Sequence, residues 1–192
     1  MEITRTLCVT ERKAWRAWLA KHYKSEREIW LVYYRAGTGH ARISYNDAVE
    51  EALCYGWIDS TAKKMDEQRY AQRFTPRRPG SNLSEMNKER LKKLVAQKKM
   101  TKAGLDAIAH VFSPEKYRTG DFTIAADILA ALKADRCAWA NFRKLPESYK
   151  RIRVGYLESQ RRHGDDALQR SLRHFVKMTA AGKRIGFVKE MR

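Results

Sequence analysis

CYGWIDSTAKKMDEQRYAQRFTPRRPGSNLSEMN, residues 54–87, carries the pattern on which the fold turns. Gly56 suits the left-handed position that ends a helix. Trp57 to Met65 then reads as a strand, Asp66-Glu67-Gln68 as a turn, and Arg69 to Thr75 as the return strand. The basic loop TPRRPGSN follows, and a helix opens near Ser84. Alternation puts Asp59, Thr61 and Lys63 on one face of the first strand, with Ser60 and Lys64 on the other. On the return strand Arg69, Arg73 and Thr75 share a face, and Tyr70, Gln72 and Phe74 share the opposite one. The turn leaves the register open. In one register Asp59 reaches the Arg73/Thr75 end and can hold a guanidinium in a bidentate pair.

Upstream, Thr10 is expected to cap a first helix with Trp15, Trp18, Leu19 and His22 on one face. Glu28 to Arg35 is apolar on both faces and reads as a central strand. The AGTGHAR loop reads as a turn, since no phosphate-gripping fingerprint accompanies its glycines. Ser44 and Asp47 form a capping pair for a helix whose buried face is Tyr45, Ala48, Val49, Ala52 and Leu53. Glu50 and Glu51, adjacent on that helix, point about 100° apart and read as a solvated acidic face.

Downstream, the Ser84 helix turns Leu91, Leu94 and Val95 inward and presents Lys88, Lys92 and Lys99 elsewhere. A short helix from Thr101 to about His110 is expected to bury Leu105 and Ile108. Ser113-Pro114 and Thr119-Gly120 then break the pattern. Beyond Phe122 only helices are expected. Asp135 caps one, Pro146 opens another with Tyr149, Ile152 and Tyr156 inward, and Asp165 begins the last. That last helix sets an apolar stripe, Leu168, Leu172, Phe175, Val176 and Thr179, against a basic one, Arg170, Arg173 and Lys177. The tail after Gly182 reads as loose. The fold class is therefore α+β: a small mixed or antiparallel sheet with packed helices over 1–112, a linker over 113–121, and an all-α module over 122–186.

The chain has 192 residues and a net charge of +18. Residues 63–102 carry 13 Lys+Arg against 4 Asp+Glu, and residues 143–192 carry 14 against 5, so these two blocks hold the whole excess. Such a surface attracts polyanions. No stretch is long and apolar enough to cross a bilayer, so no membrane insertion is expected. The opening MEITRTLCVTERKAW lacks the apolar run of a secretory signal, which gives a cytoplasmic expectation. Cys8, Cys54 and Cys137 lack zinc or disulfide spacing and read as reduced, partly buried side chains. No His stands three or four residues from another, so no metal and no cofactor is expected.

The candidate site residues follow from the hairpin. Asp59, Lys63 and Tyr70 are the catalytic candidates, with no activated nucleophile among them. Arg69, Arg73, Arg77, Arg78, Ser81, Asn82 and Lys88 are the anion-binding candidates, the loop ones beside the open amides of the Ser84 helix. Lys92, Lys99, Arg170, Arg173 and Lys177 form the polyanion stripes. Three readings are open. In the first the protein is a non-enzymatic binder of an anionic small molecule or nucleic acid. In the second it is an enzyme acting on an anionic small molecule through Asp59, Lys63, Tyr70 and Arg73. In the third Asp59, Arg69 and Arg73 form a structural ionic lattice. The oligomeric state is left open.

Several of these segments resemble the YdeI/OmpD-associated family, also labelled bacteriocin-protection proteins. They are EIWLVYY (28–34), DAVEEALCYGWIDS (47–60), the run KKMDEQRYAQRFTPRRPGSNLSEMNKERLKKL (63–94) and MTKAGLDAI (100–108). The resemblance covers most of residues 10–112, and residues 122–184 resemble the family's smaller helical module. There Arg170 and Arg173 stand where the family carries an arginine-bearing stretch. The resemblance implies stress resistance, in the form of tolerance of bacteriocins or cationic peptides, and no known reaction or cofactor.

Overall fold

The computed structural model describes residues 2–113 and 123–186. The chain divides into two compact units, one made of residues 1–82 and 90–117, the other of residues 83–89 and 118–192. The class is α+β, and among the described residues every strand lies in the first unit. The proposed linker, 113–121, lies outside the described residues except for Ser113. The second unit also takes residues 83–89 from the middle of the chain, which no composition shift announces.

The first unit is built on a four-stranded sheet in the order β1 (Thr6–Leu7), β2 (Ile29–Tyr34), β4 (Arg69–Pro76), β3 (Trp57–Lys64). β1 runs parallel to β2, and the other pairs are antiparallel. β2 is internal, as its apolar run predicts, with Ile29 to Tyr33 all buried. β1 escapes sequence reading because two residues give no periodicity. The β2 backbone recruits it, with the Trp30 amide donating to the Arg5 carbonyl at 3.0 Å.

Helix α1 (Arg12–His22) begins one residue later than Thr10 predicts: Glu11 occupies the cap position and makes no side-chain capping bond. Trp15 and Leu19 are buried, and the Trp15 indole donates to the Ala48 carbonyl at 3.0 Å. Trp15 stacks on Trp18, which meets both His22 and Trp57, while Trp15 also tilts against Phe74. This aromatic column holds α1 to one sheet face. Helix α2 (Tyr45–Cys54) carries the expected cap, the Asp47 amide donating to Ser44 Oγ at 3.0 Å.

Helix α4 (Lys102–Asp106) docks on the end of α2. Thr101 Oγ1 donates to the Cys54 carbonyl at 2.7 Å and accepts from the Gly104 amide at 3.2 Å. A Cβ at Gly104 would stand 2.2 Å from that same carbonyl oxygen, so only glycine permits the contact. The helix is shorter than expected, and Leu105 is exposed while Ile108 is buried. Helix α3 (Glu85–Ala96) starts after Ser84, whose Oγ accepts from the Asn87 amide at 3.3 Å. It buries Leu91 and Leu94.

The second unit holds α5 (Ala126–Ala134), α6 (Arg136–Arg143), α7 (Glu147–Gln160), a 3-10 turn (Arg161–His163) and α8 (Asp165–Ala180). Asp135 caps α6, accepting from the Ala138 amide at 2.9 Å. Leu168, Leu172, Phe175 and Thr179 form the buried stripe of α8, as predicted. Two expectations are corrected. Tyr156 is exposed, because Arg153 and Leu157 take the inward positions beside it. The segment after Gly182 is tied down as far as described: Ile185 is buried and its amide donates to the Tyr149 hydroxyl at 2.9 Å.

Candidate functional site

The register of the hairpin decides what its polar residues meet. Asp59 pairs with Phe74 and Ala62 with Gln72, so Ser60 and Thr61 together oppose Arg73 in a β-bulge. The bulge resets the alternation. Asp59 shares the face of Phe74, Gln72 and Tyr70, whereas Lys63, paired with Ala71, falls on the other face with Arg73. The Gln72 amide donates to the Ser60 carbonyl at 3.1 Å and fills the irregular step. The expected grouping of Asp59 with Thr61 and Lys63 is thus replaced, and Asp59 does not pair with Arg73.

Asp59 instead faces α2. Tyr45 Oη donates to its carboxylate at 2.6 Å. Behind Tyr45 sits Arg90 from α3, 8% exposed, with its guanidinium 5.9 Å from the Tyr45 ring centre and 2.6 Å from Asn46 Oδ1. Tyr33 and Tyr70 stack with ring centres 5.1 Å apart. The Tyr33 hydroxyl is buried with no hydrogen-bond partner among the described residues. Burial first, then neighbouring phenols, pushes the Tyr33 hydroxyl well above the usual tyrosine range; burial first, then Asp59, does the same for Tyr45. At neutral pH these phenols are hydrogen-bond donors, not bases. Burial likewise lowers the Arg90 guanidinium below its usual range.

Four of the anion-binding candidates, Arg69, Arg73, Arg77 and Lys88, have partners inside the chain. Arg69 bonds Asp66 through Nε at 2.8 Å, and Arg73 bonds Glu28 through Nε at 2.7 Å. Arg77 donates to the Ser81 carbonyl, Ser81 Oγ and the Asn82 carbonyl, at 2.9, 3.0 and 3.2 Å, closing the loop on itself. Lys88 pairs with Glu85 at 2.5 Å. Arg78 and Asn82 are exposed and Ser81 half-buried.

The reading of Glu50 and Glu51 as a solvated face is overturned. Glu51 is 2% exposed, and its two oxygens take Arg12 Nε at 2.5 Å and Arg16 Nη1 at 2.6 Å. Arg12 Nη1 also reaches Asp47 at 2.6 Å and Glu50 at 2.9 Å. The sequence does hold a signal for this cluster: Asp47, Glu50 and Glu51 stand at i, i+3 and i+4, one helix face. Among the cysteines, Cys54 is buried, and burial pushes its thiol up; Cys8 and Cys137 are exposed, contrary to expectation.

The polyanion stripes are different in kind. Arg170, Arg173 and Lys177 are exposed along α8, and none pairs with an acid among the described residues. Lys92 is exposed on α3, but Lys99 is not part of that stripe. The helix ends at Ala96, Lys98 turns left-handed at φ 54°, and the Lys99 amide bonds back to the Leu94 carbonyl. In the second unit Arg161 holds Asp127 and Glu158 together, at 2.9 and 2.7 Å. Among the described residues no group of three or more His, Cys, Asp or Glu is placed to hold a metal ion. Among them, too, no helix is long and apolar enough to cross a membrane.

No curated protein and no solved structure matches the chain. Residues 121–182 match the family described as bacteriocin-protection, YdeI or OmpD-associated. The family resemblance therefore has its support in the helical module, while residues 7–107 match a different family, described as a domain of unknown function, DUF8412. Over more than half its length the chain belongs to the DUF8412 family, described as a domain of unknown function.

Proposed function

We propose that this is a non-enzymatic binding protein of the cytoplasm that takes a polyanion, nucleic acid foremost, on the exposed basic face of α8. The observation that carries the reading is the contrast between two sets of cations. The hairpin guanidiniums of Arg69, Arg73 and Arg77 spend their hydrogen bonds inside the first unit. Arg170, Arg173 and Lys177 are exposed and form no ion pair among the described residues. Their i, i+3, i+7 spacing aligns three charges along one helix side, which suits successive phosphates.

The bacteriocin-protection label of the matched module fits this reading only indirectly. At +18 the chain repels cationic peptides, so protection would act through the polyanion and not through capture of the toxin.

The test is fluorescence anisotropy of a labelled single-stranded oligonucleotide and of its duplex, titrated with the protein from 50 to about 300 mM salt. Affinity that falls linearly on a log–log plot supports the reading, since counterion release sets that slope. Absence of binding at the lowest salt contradicts it.

A further inference from the structure

Among the described residues of the second unit, one arginine is buried. Arg153, on α7, is 8% exposed, yet its Nε is sealed from solvent with no hydrogen-bond partner. Its guanidinium lies 4.8 Å from the ring centre of Tyr156 and 5.6 Å from that of Phe175. No carboxylate pairs with it among the described residues. Arg12, Arg73, Arg77 and Arg90 are also largely buried, and each reaches a carboxylate, amide or backbone oxygen. A buried cation without such a partner is costly, and aromatic faces offset only part of that cost. Burial holds its guanidinium below the usual arginine range, and the neighbouring phenols of Tyr149 and Tyr156 counter this only in part.

The immediate surroundings point to the missing partner. Tyr156 is 44% exposed, so the ring against the guanidinium is itself open to solvent. Phe175 belongs to α8, the helix whose other side bears Arg170, Arg173 and Lys177. The guanidinium fork matches a group with two coplanar acceptor oxygens.

We propose that Arg153 is the anchor of a phosphate-binding site in the YdeI/OmpD-associated module, taking two phosphate oxygens on its terminal nitrogens, with Tyr156 as the flanking wall. This goes beyond polyanion attraction by the α8 face, because it requires one phosphate group at one residue. The phosphate can belong to a small molecule or to a nucleic-acid backbone.

The experiment uses the intact chain. The Arg153 Nε–H resonance, sealed from solvent, is followed by 15N–1H NMR and assigned by its loss in Arg153→Lys. It is titrated with inorganic phosphate and, separately, with a short single-stranded oligonucleotide, with sodium chloride of equal ionic strength as the control. The Arg90 resonance serves as an internal reference. Saturable movement of the Arg153 signal with phosphate, beyond that in chloride and without movement of Arg90, supports the site. Movement with phosphate alone makes a small molecule the source; movement with the oligonucleotide, alone or as well, makes the polymer one. No movement with either, or movement no larger than in chloride, overturns the proposal. Oligonucleotide binding by anisotropy with a silent Arg153 would leave the α8 reading standing and remove this one. As a second readout, Tyr156→Ala, at an exposed position, is expected to weaken phosphate binding several-fold; unchanged affinity removes Tyr156 from the site.

Discussion

The Glu51 carboxylate closes on the Arg12 guanidinium with one oxygen and on Arg16 with the other, tying the start of α1 to the middle of α2. Glu51 is almost fully buried, so the pair stands or falls together. Glu51→Ala removes the shared acceptor, while Arg12 keeps Asp47 and Glu50 and Arg16 keeps access to water, and is expected to cost about 1–2 kcal/mol. Urea denaturation reads this directly. A loss near zero would show that water reaches the pair.

Gly104 sets how closely α4 approaches the end of α2. Gly104→Ala forces a methyl onto the Cys54 carbonyl and is expected to destabilise the first unit by about 2 kcal/mol. An unchanged denaturation midpoint would contradict the tight docking of Thr101 and Gly104 on α2.

Hydrogen bonds from Thr4 and then Arg73 hold the Glu28 carboxyl below the usual carboxylate range. A depressed folded-state value contributes stability above the unfolded value of about 4.3, and that contribution drains away as pH falls through the folded value. Glu28→Gln removes it. The variant is expected to show a shallower loss of stability between about pH 5 and pH 3 than the parent, measured by thermal unfolding across that range. Parallel curves would deny Glu28 its role.

Tyr45 and Asp59 form the hydrogen bond that fixes the hairpin's first strand to α2. A double-mutant cycle with Tyr45→Phe and Asp59→Ala is expected to give a coupling of about 1–2 kcal/mol. Additive effects would mean that the two side chains act independently.

Local chemistry is readable from the sequence wherever it is self-contained. The Ser44 and Asp135 caps, the left-handed Gly56, the internal strand at Ile29 to Tyr34 and the apolar stripe of α8 each follow from spacing and residue type. The site is less legible because one bulge decides it. Inserting an extra residue between Asp59 and Ala62 moves Asp59 away from Lys63 and Arg73 and toward Tyr45, and no residue in the stretch marks that insertion. Tyr45 and Tyr33 read only as core, and Arg90 carries no signal of its own, because their partners lie on other elements. The Arg12 cluster is hidden for the same reason: its three acids share a helix face, but the arginine comes from 35 residues upstream.

The salt dependence of oligonucleotide binding reads the exposed face of α8 itself. Replacing Arg170, Arg173 and Lys177 together with glutamine should leave the buried stripe intact, since all three side chains face solvent. The triple variant is expected to bind more weakly, with a log–log salt slope shallower by about 2, at roughly 0.7–0.9 for each phosphate no longer neutralised. An unchanged slope and affinity in the triple variant would contradict it.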